Sequence, residues 1–359
     1  MSDGQNIFVT GYYGTGSSAV IDLMSEYDGT ACAIGRRYEH SLFLCRGGLI
    51  DLYERCFGEM TNRMIRDRAI NDFIDEMYRQ NDNDFGWYGS YKKLYGKKFS
   101  GNVNEFVSAI SCEGDKKAIA HGKGVRFSFL KAILQLGAAV LKGYKITKLG
   151  RQYCYDGKTV RYLTADEQEF LLRAKKFTSE YFSMCKTTET MIYDHIILPE
   201  QSGSMSKFFP DCKLIIVDRD PRDVYLSSNY VWNTVRCGKQ IAPFPPGAEA
   251  FCSAWKEAHE RAEKYAEGNK NVLFVQFEDL IYDYENATKK IAEFCDLEEK
   301  NHVRKGEILQ TEKSIKNTQV FLKSEKFAPE CEILEKNLGK YFYNFPYKTA
   351  TDIGEIEDL

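Results

Sequence analysis

The sequence predicts an α/β fold of three layers, with a mostly parallel central sheet and a large, mainly helical insertion or lid. Three observations carry this reading. A short β-prone run, Ile7-Phe8-Val9-Thr10, leads at once into a Gly-rich turn and then into a helical pattern. Strand-like runs return at 191–193, 214–217 and 272–275, separated by helix-length segments, and intervening helices make successive strands parallel. Residues 36–185 lack that alternation and read as an insertion.

Taken in chain order, the first helix starts near Ser18 and sets Ala19, Val20, Leu23 and Met24 on one face. The chain then reads as mostly helical to about Gln80 and loop-like over 82–102, DNDFGWYGSYKKLYGKKFSGN. Residues 127–142 suit a buried helix. Thr164 and Glu167 have capping-box spacing and open a helix that runs to about Lys186. Helices are expected near 247–268 and 283–295, on either side of the strand at 272–275. The acidic tail, 349–359, is expected to fray. The whole is one α/β domain over 1–359, with the 36–185 insertion inside it.

Composition narrows the function. Lys plus Arg total 49 against 52 Asp plus Glu, a net charge of −3 over 359 residues. A protein that neutralises many phosphates needs a basic excess, so nucleic acid is not an expected partner. No run approaches the ~20 apolar residues of a membrane helix; the most apolar window, 132–141, contains Gln135. The opening MSDGQNIFVTG lacks the basic and apolar regions of a signal peptide. Eleven cysteines occur singly, none in a CxxC pair, which argues against zinc and redox motifs. Free thiols without an export signal fit the cytoplasm.

The turn after the first strand is GYYGTGSS, Gly11–Ser18. Gly11 and Gly16 have the glycine spacing of the phosphate-binding loop GxxxxGK[ST], which makes the fold P-loop-like. Glycines let successive backbone N–H groups curl inward, and the following helix adds the positive end of its dipole. Thr15, Ser17 and Ser18 add hydroxyls. Ser17 stands where that motif has the lysine that reaches the outer phosphates of a nucleoside triphosphate. Two readings stand for the loop alone: a phosphate or sulfate cradle, or a tight strand–helix connection.

The stretch KLIIVDRDPRDVYLSSNY, 213–230, is an apolar strand that ends in a charged turn. Pro221 suits the first turn of a helix, where its missing N–H costs nothing. Arg219 at the strand end points towards the crevice where α/β sheets bind ligands, and Ser227 follows about two helical turns later. An Arg and a Ser so placed can clamp one phosphate. The competing reading is a helix start in which Asp220 and Asp223 pair with Arg222.

This combination resembles the sulfotransferases that use 3′-phosphoadenosine-5′-phosphosulfate. Their phosphosulfate loop, PKSGTTW, is similar to Tyr13-Gly14-Thr15-Gly16-Ser17-Ser18. Their RNPKDVAVSYY motif is similar to RDPRDVYLSSNY, with Arg219 and Ser227 eight apart as in the family. Val275–Leu280 resembles V-x-Y-E-D-L, and Arg304-Lys305-Gly306 resembles RKG. All four come in the family's order. The resemblance implies that Arg219, Ser227, Arg304, Lys305 and Gly306 hold the donor's 3′-phosphate and adenine side, with no metal.

Sulfuryl transfer needs a base for the acceptor's proton and donors or cations for the charge that develops. His195, in YDHIILPE, stands 24 residues before Arg219, and the family's base lies in a strand-end K-T-H-L-P at a similar distance. Asp194 orients its ring or is itself the base. His121 is a weaker candidate, while His259 and His302 lie in polar helical contexts and read as solvated. The family's loop Lys or Arg is Gly14 here, and the Lys before its catalytic His is Tyr193. Arg36, Arg37, Lys123 and Arg126 are the candidate substitutes.

The acceptor is a small molecule or a saccharide, the latter suggested by Trp87, Tyr88, Tyr91 and Tyr95 interleaved with Lys92, Lys93, Lys97 and Lys98. The alternatives are a donor-binding protein without catalysis, or a P-loop kinase with Asp218 as its magnesium ligand.

Overall fold

The computed structural model describes residues 4–83, 88–113, 161–209, 212–232, 244–322 and 327–348. Its strands are β1 (Gln5–Gly11), β2 (Thr30–Cys32), β3 (Ser111–Glu113), β4 (Arg161–Leu163), β5 (Thr190–Asp194), β6 (Lys213–Asp218) and β7 (Val272–Gln276). Five of them form a parallel sheet in the order β2-β5-β1-β6-β7. The strands expected around 7–10, 191–193, 214–217 and 272–275 are its four inner and outer members β1, β5, β6 and β7, and the α/β class is borne out. β1 runs down the middle, with Val9 opposite both Asp194 and Ile215 and Gly11 opposite Val217. Because all pairings are parallel, the loops after β1, β5, β6 and β7 leave from one edge, where such sheets bind ligands.

Alternate residues of β1 face opposite layers. Ile7 and Val9 join a cluster with Val217, Val275 and Phe277 against helix α1 (Ser17–Met24), which buries Ala19, Val20, Ile21, Leu23 and Met24. Phe8 faces the other way, its ring 5.6 Å from Phe182 and 5.2 Å from Phe209. Each such fully buried side chain stabilises by roughly 1.5–3 kcal/mol, so β1 is fixed from both sides before any ligand arrives. Helices Ala248–Ala266 and Tyr284–Phe294 lie where the sequence places them.

The chain divides into two compact units. The first comprises Met1–Leu44, Asp84–Gly89 and Thr178–Leu359 and contains the parallel sheet. The second comprises Cys45–Asn83 and Ser90–Phe177. Its helices include Leu49–Phe57, Arg63–Asp82 and Lys97–Ile110, with an antiparallel β3–β4 pair.

Two expectations are corrected. The stretch 82–102 is not loop-like throughout: Tyr91–Tyr95 is helical and Lys97 opens a longer helix. Tyr91 and Phe99 are fully buried and stack at 4.2 Å, and that burial outweighs the Gly- and Asn-rich composition. The helix Glu167–Cys185 is capped by Asp166, which accepts the Glu169 N–H at 2.9 Å, while Thr164 turns back to the Ile110 carbonyl. β2, β3 and β4 were unforeseen, since three residues carry no periodicity. The helix expected at 127–142 and the tail 349–359 lie outside the described residues.

Candidate functional site

The loop between β1 and α1 is built from left-handed residues. Tyr13, Gly14 and Gly16 have φ of 60°, 73° and 93°. Gly16 also faces a wall: a Cβ there would stand 2.5 Å from Cδ2 of Phe277. Thr15 is buried and its Oγ1 accepts the Tyr12 N–H at 3.1 Å, so this hydroxyl shapes the loop from inside. α1 begins with Gly16 as its N-cap, with no side-chain cap and no acidic residue in its first turn. The Ala19 N–H goes to the Gly16 carbonyl at 2.9 Å, and the half-buried Ser17 and Ser18 stand at this helix start, a position that favours anions.

Arg219 follows β6 and reaches this loop. Its backbone N–H is held by Asp218 Oδ1 at 2.8 Å. Nη1 donates to the Gly14 carbonyl at 2.8 Å and Nη2 to the Asn317 carbonyl. The guanidinium sits 5.2 Å from the Phe277 ring centroid, and the residue as a whole is 7% exposed. Nε is buried and has no hydrogen-bond partner among the described residues.

The turn behind Arg219 is acidic but occupied. Asp220 caps helix Pro221–Leu226 and holds Arg222 Nη2 at 2.7 Å. Asp223 accepts the N–H groups of Gln319 and Val320 at 2.8 and 2.6 Å. The expected ion-paired helix start is thus half right: Arg222 pairs with Asp220, and Asp223 serves the 319–320 backbone. Burial pushes the Asp223 carboxyl up to about 6, against the pull of Arg219. Glu278 accepts the Asp220 N–H at 2.9 Å, and burial pushes it up to about 8. Ser227 is half-buried and opens a π-helical turn, Ser227–Trp232, a conformation frequent at functional sites.

His195 follows β5 in the left-handed region, φ 51°. A non-glycine residue there is strained and must be held by its surroundings. Its N–H bonds to the Val9 carbonyl at 3.0 Å, and its ring stacks on Tyr13 of the loop with centroids 5.5 Å apart. Nδ1 lies 2.6 Å from Asp194 Oδ1. A carboxylate only accepts, so Nδ1 carries the proton and Nε2 of the neutral ring holds a lone pair. Nε2 is buried and has no hydrogen-bond partner among the described residues. Burial pushes the imidazolium down, but the charge and hydrogen bond of Asp194, helped by Glu39, outweigh it and hold His195 above its ordinary value.

The other sequence candidates are placed elsewhere. Arg304 donates to the Ser25 carbonyl and its N–H bonds to Glu26, at the far end of α1, about 12 Å along an eight-residue helix. Lys305 pairs with Glu285 at 2.8 Å, and Gly306 lies in the left-handed region, open on its Cβ side. Arg36 and Arg37 both pair with Asp22, at 3.2 and 2.8 Å. Tyr193 is core, its ring 5.0 Å from Phe182. His121, Lys123, Arg126 and Trp87 lie outside the described residues. Tyr91 is buried and so offers no stacking face for a sugar.

His259 and His302 are not solvated. His259 is 3% exposed, stacks on Tyr12 at 3.8 Å and bonds to Asp218 Oδ2 at 3.1 Å. His302 bonds to the buried Glu26 at 2.8 Å. The spacing of Trp255, His259 and Ala262 on one helix face was the signal for the first. The Asn317 carbonyl at Arg219 had no signal, since a backbone group leaves none.

A family model described as a sulfotransferase domain matches residues 100–336. The matched segment contains His195, Arg219, Ser227 and Arg304–Gly306 and begins after the Gly11–Ser18 loop. Sulfotransferase 2A1 of Macaca fascicularis is 29% identical over 153 residues, 40% of this chain and 53% of that protein. Cytosolic sulfotransferase 12 of Arabidopsis thaliana is 32% identical over 142 residues, 35% of this chain and 40% of that protein. The chain thus spans about half the length of the curated relatives it matches. Among solved structures, the sulfotransferase domain of the Synechococcus PCC 7002 olefin synthase aligns over 96% of this chain and 98% of its own, with TM-score 0.42 and 11% identity. Sulfotransferase STF9 from Mycobacterium avium aligns over 97% and 78%, with TM-score 0.37 and 13% identity.

Proposed function

Since the chain belongs to the sulfotransferase-domain family, we propose that it moves a sulfuryl group from 3′-phosphoadenosine-5′-phosphosulfate to a hydroxyl or amine of a small-molecule or saccharide acceptor. One observation carries this reading: Nε2 of His195, the lone-pair nitrogen of the neutral ring, is buried with no hydrogen-bond partner among the described residues, and the ring stacks on Tyr13 of the loop that suits a phosphosulfate. The loop fits such a group because its helix start is uncapped and free of acid.

In this reading His195 Nε2 takes the proton of the acceptor as the acceptor's oxygen or nitrogen bonds to sulfur. The bond from sulfur to the donor's bridging oxygen breaks, and its electron pair stays on the 5′-phosphate. Asp194 fixes the ring by its 2.6 Å hydrogen bond and stabilises the imidazolium that forms. Tyr13, Gly14, Thr15, Gly16, Ser17 and Ser18 cradle the phosphosulfate end, their N–H groups set in advance for the charge that develops. Arg219 and Ser227 hold the donor's phosphates. Arg304, Lys305 and Gly306, beside Ser25 and Glu26 at the end of α1, would take the donor's 3′-phosphate and adenine side in this reading.

The test is mass spectrometry of a pool of hydroxylated and amine acceptors incubated with protein and donor. A product heavier by one sulfuryl group, formed only with both present, is expected. Saturable donor binding with no sulfated product makes the chain a donor-binding protein instead.

A further inference from the structure

Glu26, in the turn after α1, is fully buried. A buried carboxylate is costly unless hydrogen bonds satisfy it. Here Oε1 accepts the N–H groups of Ile308 and Leu309 at 2.9 and 2.8 Å, and Oε2 accepts from Nε2 of His302 at 2.8 Å. A carboxylate only accepts, so Nε2 carries a ring proton. Tyr27 stacks on the same ring, with centroids 4.2 Å apart and planes 12° apart. One side chain thus gathers two points of the chain that lie 276 to 283 positions away.

Between those two points lies Val303–Glu307, every residue of it exposed. It is a tight turn. The Glu307 N–H returns to the Arg304 carbonyl at 3.0 Å, and Gly306, at φ 76°, takes the third place, where a type II turn needs a left-handed residue. The Arg304 N–H bonds to the Glu26 carbonyl at 3.2 Å, and its guanidinium donates to the Ser25 carbonyl. Both flanks of the turn and its first residue are therefore fastened to residues 25 and 26. We infer that Glu26 is a positioning residue for the donor: it holds the Arg304–Gly306 turn in the shape that meets the 3′-phosphate. This rests on the donor reading above.

An exposed turn around a glycine samples many conformations when its ends are loose, and a ligand that must order it gives up part of its affinity. Glu26 has the turn ordered as the chain folds, by satisfying His302 on one side of it and Ile308 and Leu309 on the other. The cations of the turn stay accessible. The Ser25 carbonyl takes one of the five N–H groups of the Arg304 guanidinium. Lys305 pairs with Glu285, the two side chains 49% and 77% exposed, and a surface pair of that kind holds weakly against a phosphate. A residue that only stabilises the fold would affect all nucleotides alike. One that sets this turn affects the preference for a nucleotide carrying a 3′-phosphate.

The experiment is calorimetric titration of the full chain with adenosine 3′,5′-bisphosphate and with adenosine 5′-phosphate, for wild type, Glu26→Ala and Glu26→Gln. The ratio of the two affinities is the readout. The wild type is expected to prefer the bisphosphate, and Glu26→Ala to lose about tenfold or more of that preference, the size of a lost charge-assisted hydrogen bond. Glu26→Gln is expected to regain most of it. Its amide oxygen accepts the Ile308 and Leu309 N–H groups, and its NH₂ donates to His302 once the ring proton moves to Nδ1. A preference unchanged in Glu26→Ala overturns the inference, as does a Glu26→Gln protein no better than Glu26→Ala. If Glu26→Ala does not fold, His302→Phe keeps a ring on Tyr27 and removes only the Oε2 tie; a lowered preference there supports the inference and an unchanged one overturns it. A wild type that binds neither nucleotide, or both alike, overturns the donor reading and the inference with it. A wild type that prefers the bisphosphate, with the same preference in the variants, overturns only the inference.

Discussion

Gly16→Ala tests whether the loop is shaped as described. The new Cβ would stand 2.5 Å from Phe277 Cδ2, with 3.0 Å to Cγ, inside any real carbon–carbon contact. The backbone is also left-handed, at φ 93° and ψ 27°. That conformation costs an L-residue about 1–2 kcal/mol, and forcing a packed ring aside costs about 1–3 kcal/mol more. The sum, roughly 2–5 kcal/mol, lowers the melting temperature by roughly 4–10 °C at about 2 °C per kcal/mol for a large domain. Scanning calorimetry measures it. Phe277→Leu in the same chain removes the ring edge and recovers the packing share but not the backbone share. Donor affinity falls as well, since the displaced ring also carries Arg219. A Gly16→Ala protein that melts and binds donor like wild type refutes the loop geometry.

Two further outcomes follow from the buried acids. His195 is held above its ordinary value by Asp194 and Glu39 despite burial, and it works as a base only when neutral, so turnover rises with pH through that raised value. Asp194→Asn moves this acid limb to lower pH and lowers kcat; an unmoved limb in the pH–rate profile contradicts the pairing. Glu278 has a folded value of about 8, above its unfolded value near 4.3. Such an acid stabilises the fold fully below the unfolded value and loses that contribution as pH rises through the folded one. Urea midpoints of the wild type therefore fall from about pH 5 to about pH 8.5, and Glu278→Gln, which keeps an acceptor for the Asp220 N–H, flattens the slope. Parallel slopes in the two proteins contradict it.

What the sequence disclosed and what it withheld divide along sequence separation. β1, the loop and α1 were legible because each is written in adjacent residues: an apolar run, glycines at a fixed spacing, a helical stripe. The Asp194–His195 pair was legible for the same reason. Arg219 and the Gly14 carbonyl lie 205 positions apart, and only the parallel register of β1 with β6 joins them. Composition misled where burial decided. The 91–99 segment looks like a solvated loop by its Lys and Gly content, yet Tyr91 and Phe99 are core. His259 sits among Glu257, Glu260 and Arg261, but its own face of the helix is shared with Trp255 and Ala262.

The central claim is that His195 drives sulfuryl transfer without being needed to hold the donor. It is tested most directly by measuring donor binding and donor cleavage on the same preparation of His195→Ala, with a sulfated acceptor found for the wild type. The account predicts a donor affinity within about threefold of wild type, since no donor-holding hydrogen bond is removed, and turnover lowered by about a hundredfold or more, the size of a lost general base. Undiminished acceptor-dependent cleavage in His195→Ala contradicts it.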